Sequence, residues 1–227
     1  MKQLFPKCIA EFIGTFAIVF FGCGSIMVTE RFPGSISIDS IPLIFGAVVA
    51  TMIYTVGHIS GAHFNPAVTL AFTIARHFPL KQLIPYFMAQ FIGAIAAIFI
   101  LHLMLPQGIS YGATIPNAEP VMSFIWEIML SFFLMLVITA VATDTRAVGM
   151  MAGIAIGTIV ALCAVIGGPI TGASMNPARS LAPAIFQGTL SSFWIYLFAP
   201  MIGATIAALV YRAIRCEKDP EKVDGCC

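Results

Sequence analysis

Long apolar stretches separated by short polar breaks run through most of the chain. Small residues such as Gly14, Gly93 and Gly157 recur inside them, as expected where helices pack closely in lipid. A helix needs about 20 apolar residues to cross the hydrocarbon layer, and the runs are continuous, unlike the alternating strands of an outer-membrane barrel. The pattern predicts an all-α membrane protein with six transmembrane helices, at 8–28, 41–57, 82–105, 121–142, 147–167 and 193–211.

Two shorter apolar stretches, 66–75 and 177–186, each begin within an Asn-Pro-Ala motif. Ten helical residues rise about 15 Å, which is half the thickness of the hydrocarbon layer. Asn65 and Asn176 stand where a helix N-cap belongs, and a proline follows each at the first helical position. We therefore predict two re-entrant half-helices. Irregular backbone at this depth is tolerated only against protein or a water-filled cavity, so the repeated motif predicts a water-filled path. Four glycines before the motifs suit an extended loop with exposed carbonyls: Gly57, Gly61, Gly168 and Gly172.

The two motifs belong to an internal repeat. Residues 57–71 match residues 168–182 at nine of fifteen positions, and Glu11 corresponds to Glu127. Each unit holds three spans, and because three is odd, the second unit must enter the membrane from the opposite side. The sequence thus predicts one channel domain over 1–227. Its two inverted repeats are 8–105 and 121–211, and a cytoplasmic tail follows at 212–227.

Composition narrows the class of protein further. Of the 227 residues, 59% are hydrophobic and 9% are charged, whereas soluble domains carry about 25% charged residues. A soluble enzyme and a disordered chain are both excluded, and a net charge of +1 gives no support for nucleic-acid binding. The sequence offers no nucleophile–base pair and no cluster of metal ligands, so we expect neither an enzyme nor a cofactor or metal site.

Basic residues predict the orientation. One side of the membrane would hold only Arg31, and the opposite side would hold Lys2, Lys7, Arg76, Lys81, Arg146, Arg212, Arg215, Lys218 and Lys222. Because the side rich in Lys and Arg is normally cytoplasmic, this count places both termini in the cytoplasm of a multi-pass protein of the plasma or inner membrane. The first apolar run has no small-residue cleavage site and should remain as a helix.

The cysteines do not suggest a disulfide framework. Cys8, Cys23 and Cys163 lie in apolar spans, and the other three lie on the reducing side of the membrane. We expect free thiols, with lipidation or metal binding as the alternative for the terminal pair. The three cysteines of the tail are Cys216, Cys226 and Cys227.

These motifs resemble the signature of the aquaporin, or major intrinsic protein, family. The second motif continues into Arg179 and Ser180, and helix 1 opens on Ala10-Glu11-Phe12. The resemblance implies six tilted helices, two half-helices, a pore in every subunit and usually a homotetramer. The motif residues are Asn65, Pro66, Ala67, Asn176, Pro177 and Ala178.

The pore can also be argued from physical chemistry. Each half-helix N-terminus carries about half a positive charge, so cations meet a barrier where the two meet. The asparagine amides can donate to a passing oxygen. Glu11 and Glu127 are interpreted as buried structural acceptors for loop N–H groups, with a proton relay as the alternative. Family resemblance suggests that His58 is a buried structural residue that braces its loop and that His63 contributes mainly its carbonyl. Carbonyl acceptors would come from Gly61, Ala62, His63, Gly172, Ala173 and Ser174.

The resemblance also locates a selectivity filter. Counted from the motifs, it comprises Phe45, Ala164, Ala173 and Arg179. Water-selective members typically have a histidine where Ala164 stands, and glycerol facilitators usually have two aromatics and an Asp where Ser180 stands. One aromatic, two small residues and an arginine are most similar to the nodulin-26-like group, as are Tyr196 and Leu197.

This filter implies passage of water and of small uncharged solutes, namely glycerol, urea, ammonia and undissociated arsenous, boric or silicic acid. Phe45 argues against silicic acid, because the silicic-acid branch carries smaller residues there. Three alternatives stay open: a strictly water-selective aquaporin, a secondary transporter, and a structural membrane protein with a closed pore. A transporter would require coupling ions, but the sequence has no midplane carboxylates besides Glu11 and Glu127. The order of solute preference, gating and the oligomeric state are not fixed by the sequence.

Overall fold

The computed structural model describes residues 4–105, 110–143 and 149–215. These ranges form eight α-helices, and short 3-10 turns precede four of them. The helices are α1 (Leu4–Arg31), α2 (Ile41–Ser60), α3 (Pro66–Ile74), α4 (Leu83–Met104), α5 (Pro120–Thr143), α6 (Ala152–Thr171), α7 (Pro177–Gln187) and α8 (Phe193–Ile214). Several residues used above lie outside the described ranges: Lys2, Arg146, Lys218, Lys222, Cys216, Cys226 and Cys227.

Six of these helices are long and apolar enough to cross a membrane, which confirms the predicted spans. Helices α3 and α7 have nine and eleven residues, about 14 and 17 Å at 1.5 Å per residue, so neither can span. Both start at the predicted proline and end within one residue of the predicted end. Because the number of spans is even, α1 begins and α8 ends at one face of the protein, here named the terminal face.

The spans pack closely where glycine removes a side chain. A Cβ on Gly93 of α4 would lie 2.5 Å from the carbonyl oxygen of Phe12 on α1. The equivalent contact in the second half brings Gly203 of α8 onto the carbonyl oxygen of Ile128 on α5. Real Cβ atoms do not approach that closely, so these glycines are required for packing.

Helices α2 and α6 cross at a reciprocal glycine contact. A Cβ on Gly157 would lie 2.5 Å from the carbonyl oxygen of Gly46, and a Cβ on Gly46 would meet the carbonyl oxygen of Gly157. These glycines are equivalent in the repeat, so the two halves make the same contact with each other. This reciprocity is what a two-fold axis between the halves requires.

The loops before the half-helices begin later than the glycine pattern predicted. Gly57 and Gly168 are helical, because their carbonyls accept the N–H groups of Gly61 and Gly172 at 2.8 and 3.0 Å. Gly61 and Gly172 have φ of 89° and 79° and end their helices in the left-handed conformation that glycine adopts freely. Only the second glycine of each pair therefore starts the irregular segment.

Apolar and polar residues are distributed as expected for a protein that has lipid as its outer solvent. Large apolar side chains such as Phe21, Ile92 and Leu162 are exposed on the outer faces of the long helices. Polar side chains, including Glu11 and Glu127, are fully buried inside the bundle. The described cysteines, Cys8, Cys23 and Cys163, are free thiols.

Candidate functional site

The N-termini of the two half-helices meet inside the bundle. The side-chain oxygen of Asn65 accepts from the N–H of Ala67 at 2.8 Å, and that of Asn176 accepts from the N–H of Ala178 at 3.0 Å. In each case Oδ1 satisfies a donor that a helix start leaves unpaired, and proline occupies the next position, where no N–H is needed. The predicted N-caps are therefore formed by the residues of both motifs: Asn65, Pro66, Ala67, Asn176, Pro177 and Ala178.

The same asparagines join the two halves. Nδ2 of Asn65 donates to the carbonyl of Met175 at 2.7 Å, and Nδ2 of Asn176 donates to the carbonyl of Phe64 at 2.9 Å. Each half-helix is thus tied to the loop that leads into the other. An asparagine amide has two N–H donors. One N–H of Asn65 and one of Asn176 therefore remain for a solute in the cavity that both side chains line.

Both loops adopt backbone conformations that L-residues rarely use. Ala62 and Phe64 have φ of 53° and 50°, and the equivalent Ala173 and Met175 have φ of 44° and 53°. Left-handed conformations cost about 1–2 kcal/mol for each such residue. The loops therefore need strong external support, which two buried glutamates provide.

Glu11 of α1 supports the first loop. Its Oε1 accepts from the hydroxyl of Ser60 at 2.7 Å and the N–H of His63 at 2.9 Å, and its Oε2 accepts from the N–H of Phe64 at 2.6 Å. The amide of Gln90 also donates to Oε2, at 2.8 Å. The carboxylate thus satisfies loop donors that the irregular backbone leaves without a helical partner.

Glu127 of α5 makes the equivalent contacts in the second loop. Its Oε1 accepts from the hydroxyl of Thr171 at 2.7 Å and the N–H of Ser174 at 2.8 Å, and its Oε2 accepts from the N–H of Met175 at 2.8 Å. Two tyrosines also make equivalent contacts in the two halves. The hydroxyl of Tyr86 donates to the carbonyl of Ser60, and that of Tyr196 donates to the carbonyl of Thr171, both at 2.8 Å.

One of the two histidines near the first motif, His58, differs from the sequence prediction. His58 was expected to be buried against the loop, but its side chain is exposed at the last turn of α2, where it lines the cavity. The buried ring belongs to His63, whose Nδ1 lies 3.1 Å from the hydroxyl of Thr69. Because α2 continues to Ser60, His58 stays on the helix and cannot reach into the loop.

Arg179 lies two residues after the start of α7, and its side chain is only 4% exposed. Its Nη1 donates to the carbonyl of Gly112 at 2.8 Å, and its Cζ lies 5.1 Å from the ring centroid of Phe45. Nε has no hydrogen-bond partner within the described part of the chain. The guanidinium is therefore held at one N–H by the carbonyl of Gly112, its Nε is buried without a partner among the described residues, and Arg179 lines the cavity.

The four predicted filter residues line one cavity of about 480 Å³. Phe45 and Arg179 provide its large side chains at one end, and Ala164 and Ala173 contribute methyl groups. Tyr54 and Met150 line the same cavity near the terminal face. Residues of both loops form the wall between, including Gly61, Ala62, His63 and Ser174, whereas Gly172 packs against Thr114 and does not line it.

Sequence reasoning missed the segment between α4 and α5. The carbonyl of Gly112 anchors Arg179, and the hydroxyl of Thr114 donates to that of Ser180 at 2.8 Å. Ser180 in turn lies within hydrogen-bond distance of Ser174, at 2.5 Å. This segment has no counterpart in the repeat, so no pattern in the sequence pointed to it.

Comparison with known proteins agrees with this geometry. The family model described as "Major intrinsic protein" matches residues 1–211. Nodulin-26 of Glycine max is 47% identical over 94% of this chain and 79% of its own length, and aquaporin NIP1-1 of Zea mays is 44% identical over 94% and 76%. The solved structure of the aquaglyceroporin from Plasmodium falciparum superposes with a TM-score of 0.80 at 25% identity, covering 93% of this chain and 96% of that one.

The chain therefore belongs to the major intrinsic protein family, as a membrane channel of the nodulin-26-like aquaporin type. The proteins of this family are channels and not enzymes, which agrees with the class expected from the sequence.

Proposed function

We propose that this protein is a passive channel for water and for small uncharged solutes such as glycerol and urea, and that it excludes protons and ions. Undissociated arsenous and boric acids have the same character, small and neutral with several hydroxyls, and fall within the proposed range. The observation that carries the proposal is the filter. One aromatic ring and two alanines surround a single fixed guanidinium at the end of a continuous cavity.

The chemistry of that end of the cavity favours polyols over water alone. A guanidinium has five N–H donors, so Arg179 at the wall of the cavity can donate to hydroxyl groups. Phe45, Ala164 and Ala173 offer apolar surface to a carbon backbone. A strictly water-selective filter would add a second polar side chain and more bulk, which an alanine at position 164 does not supply.

Exclusion of protons follows from the centre of the cavity. Two half-helix N-termini, each with about half a positive charge, face the same point. The remaining N–H of Asn65 and that of Asn176 would each donate to a central water, whose own hydrogens must then point away toward both ends. A water held in that way cannot pass a proton along a hydrogen-bonded chain.

The wider arrangement is proposed on the same basis. One channel domain of two inverted repeats, 8–105 and 121–211, would lie in the plasma or inner membrane with both termini in the cytoplasm. The basic residues of the terminal face, which include Lys7, Arg76 and Arg212, support that orientation. Family membership supports the proposal of a homotetramer with one pore in each subunit.

Stopped-flow light scattering on proteoliposomes tests the proposal. A sucrose gradient reports water efflux, a glycerol gradient reports solute entry, and a pH-sensitive dye inside the vesicles reports proton leak. We expect fast water and fast glycerol flux without proton leak. Water flux without glycerol flux would contradict the proposed solute class, and absence of both would favour a closed or structural protein.

A further inference from the structure

We propose that Gly22 of α1 is a specificity-determining residue, because its missing side chain sets how far the Phe45 ring stands back from the channel. The proposal rests on the function proposed above, and it concerns a helix that contributes none of the four filter side chains.

The contact between these residues leaves no space for a methyl group. A Cβ on Gly22 would lie 2.6 Å from Cδ1 of Phe45 and closer still to Cε1 and Cζ. Ordinary carbon contacts are about 3.5–4.0 Å, so the ring lies directly on the backbone of α1. Any side chain at position 22 would have to displace it by roughly 1 Å.

Helix α2 cannot move away to absorb that displacement. Gly46, the neighbour of Phe45, has its backbone in contact with Gly157 of α6 on the other side. Closely packed interiors transmit such strain instead of absorbing it. The ring must therefore turn toward the cavity that it lines with Ala164 and Arg179.

The next residue of α1 supports the other large member of the filter. Cys23 is fully buried, and a Cβ on Gly112 would lie 3.0 Å from its Cα. Gly112 holds Arg179 through its carbonyl. Two consecutive residues of α1 thus form the surface against which both Phe45 and the anchor of Arg179 rest, so α1 controls the width of the filter from behind.

The test compares Gly22→Ala with native protein in proteoliposomes, by glycerol and water permeability. We expect glycerol permeability to fall about tenfold or more and water permeability to fall less than about threefold, because a narrower opening rejects the larger solute first. Gly24→Ala is the matched control: it adds the same methyl to the same helix, 3.2 Å from the flexible end of Leu101 and away from Phe45. The control should keep the native ratio of glycerol permeability to water permeability.

The double variant Gly22→Ala/Phe45→Ala separates a filter effect from a folding effect. With the ring removed, the methyl occupies vacated space, so glycerol flux should return to that of Phe45→Ala alone. An unchanged ratio in Gly22→Ala would overturn the proposal. So would a double variant that neither folds nor conducts, because the clash would then lie elsewhere.

The proposal can also be judged if the proposed function fails. Should native protein conduct water but no glycerol, the solute class is wrong. The same variants are then read by water permeability alone. A decrease in Gly22→Ala that Phe45→Ala reverses would still support the role of Gly22, and a decrease that persists without the ring would contradict it.

Discussion

The two halves of this channel are built on the same framework but present different side chains to the solute. Glu11 and Glu127 support the two loops through equivalent hydrogen bonds, and each motif asparagine is bonded to the opposite loop. Position 68 of the first half-helix holds a valine, however, where the second holds Arg179. Shared contacts therefore form the scaffold, and the differences between the halves determine selectivity.

The differences are concentrated at one end of the cavity. Arg179, its anchor Gly112 and the serine pair Ser174–Ser180 belong to the second half. The first half has a histidine in place of Ser174 and uses Gln90, whose amide donates to both Glu11 and Thr69. The first loop thus has an additional link to the bundle through Gln90, while the second loop lies next to Arg179.

Removing a shared support should have the largest effect. Glu127→Ala leaves the N–H groups of Ser174 and Met175 without partners, and each buried unpaired donor costs about 1–3 kcal/mol. The Thr171 hydroxyl also loses its bond to Glu127 and keeps, among the described residues, only the carbonyl of Gly167, at 3.3 Å. We expect several kcal/mol of destabilisation, measured as lost thermal stability in detergent together with lost water flux. Glu119→Ala, which removes an exposed carboxylate, should change stability by less than about 0.5 kcal/mol. Equal thermal midpoints for the two variants would contradict the role of Glu127 in supporting the loop.

Making the two halves alike at the filter should change selectivity but not folding. Arg179→Val installs the residue found at the equivalent position 68 and removes the buried charge. We expect proton or cation leak to rise at least about tenfold, equivalent to about 1.4 kcal/mol of barrier, in dye-loaded vesicles. Arg31→Val removes an exposed arginine elsewhere and should produce no leak. A leak-free Arg179→Val channel would show that the half-helix ends suffice.

The contact between the halves can be tested directly. Gly46→Ala places a methyl against the carbonyl of Gly157, and overpacking of this kind costs about 1–3 kcal/mol. The measurement is the thermal midpoint in detergent. Gly168→Ala is the control, because a Cβ there meets no heavy atom within 4 Å. If both alanines were tolerated equally, the α2–α6 crossing would be looser than described.

The linker after the first half-helix should make the stability of the protein depend on pH, with a smaller effect than the changes above. His77 follows α3, and burial lowers its pKa, as do the nearby Arg215 and Arg212. Its ordinary pKa is about 6.5. Since the unfolded chain therefore binds the proton first, stability should fall as pH drops below about 6.5 toward the depressed folded value. Thermal midpoints between pH 7.5 and 5 should fall less in His77→Gln, and an identical fall would exclude His77 as a contributor.

Much of this arrangement could be predicted from sequence because local rules apply to it. An Asn-Pro start fixes each half-helix, and a repeated glutamate has few possible partners in an apolar bundle. The exposed position of His58 could not be predicted, since it depends on α2 continuing to Ser60. The contacts of Gly22 with Phe45 and of Gly112 with Arg179 join distant segments, and no periodic pattern encodes such contacts.

The most direct test of the central claim compares glycerol and water permeability in native protein and in Ala164→His. This position lies on a regular helix, whereas Ala173 has φ of 44° and would be strained by a β-branched replacement. Native protein should pass both solutes. The histidine should cut glycerol flux about tenfold or more and leave water within about threefold, while Ala164→Ser keeps the native ratio. Unchanged glycerol flux in Ala164→His would contradict the account of the filter.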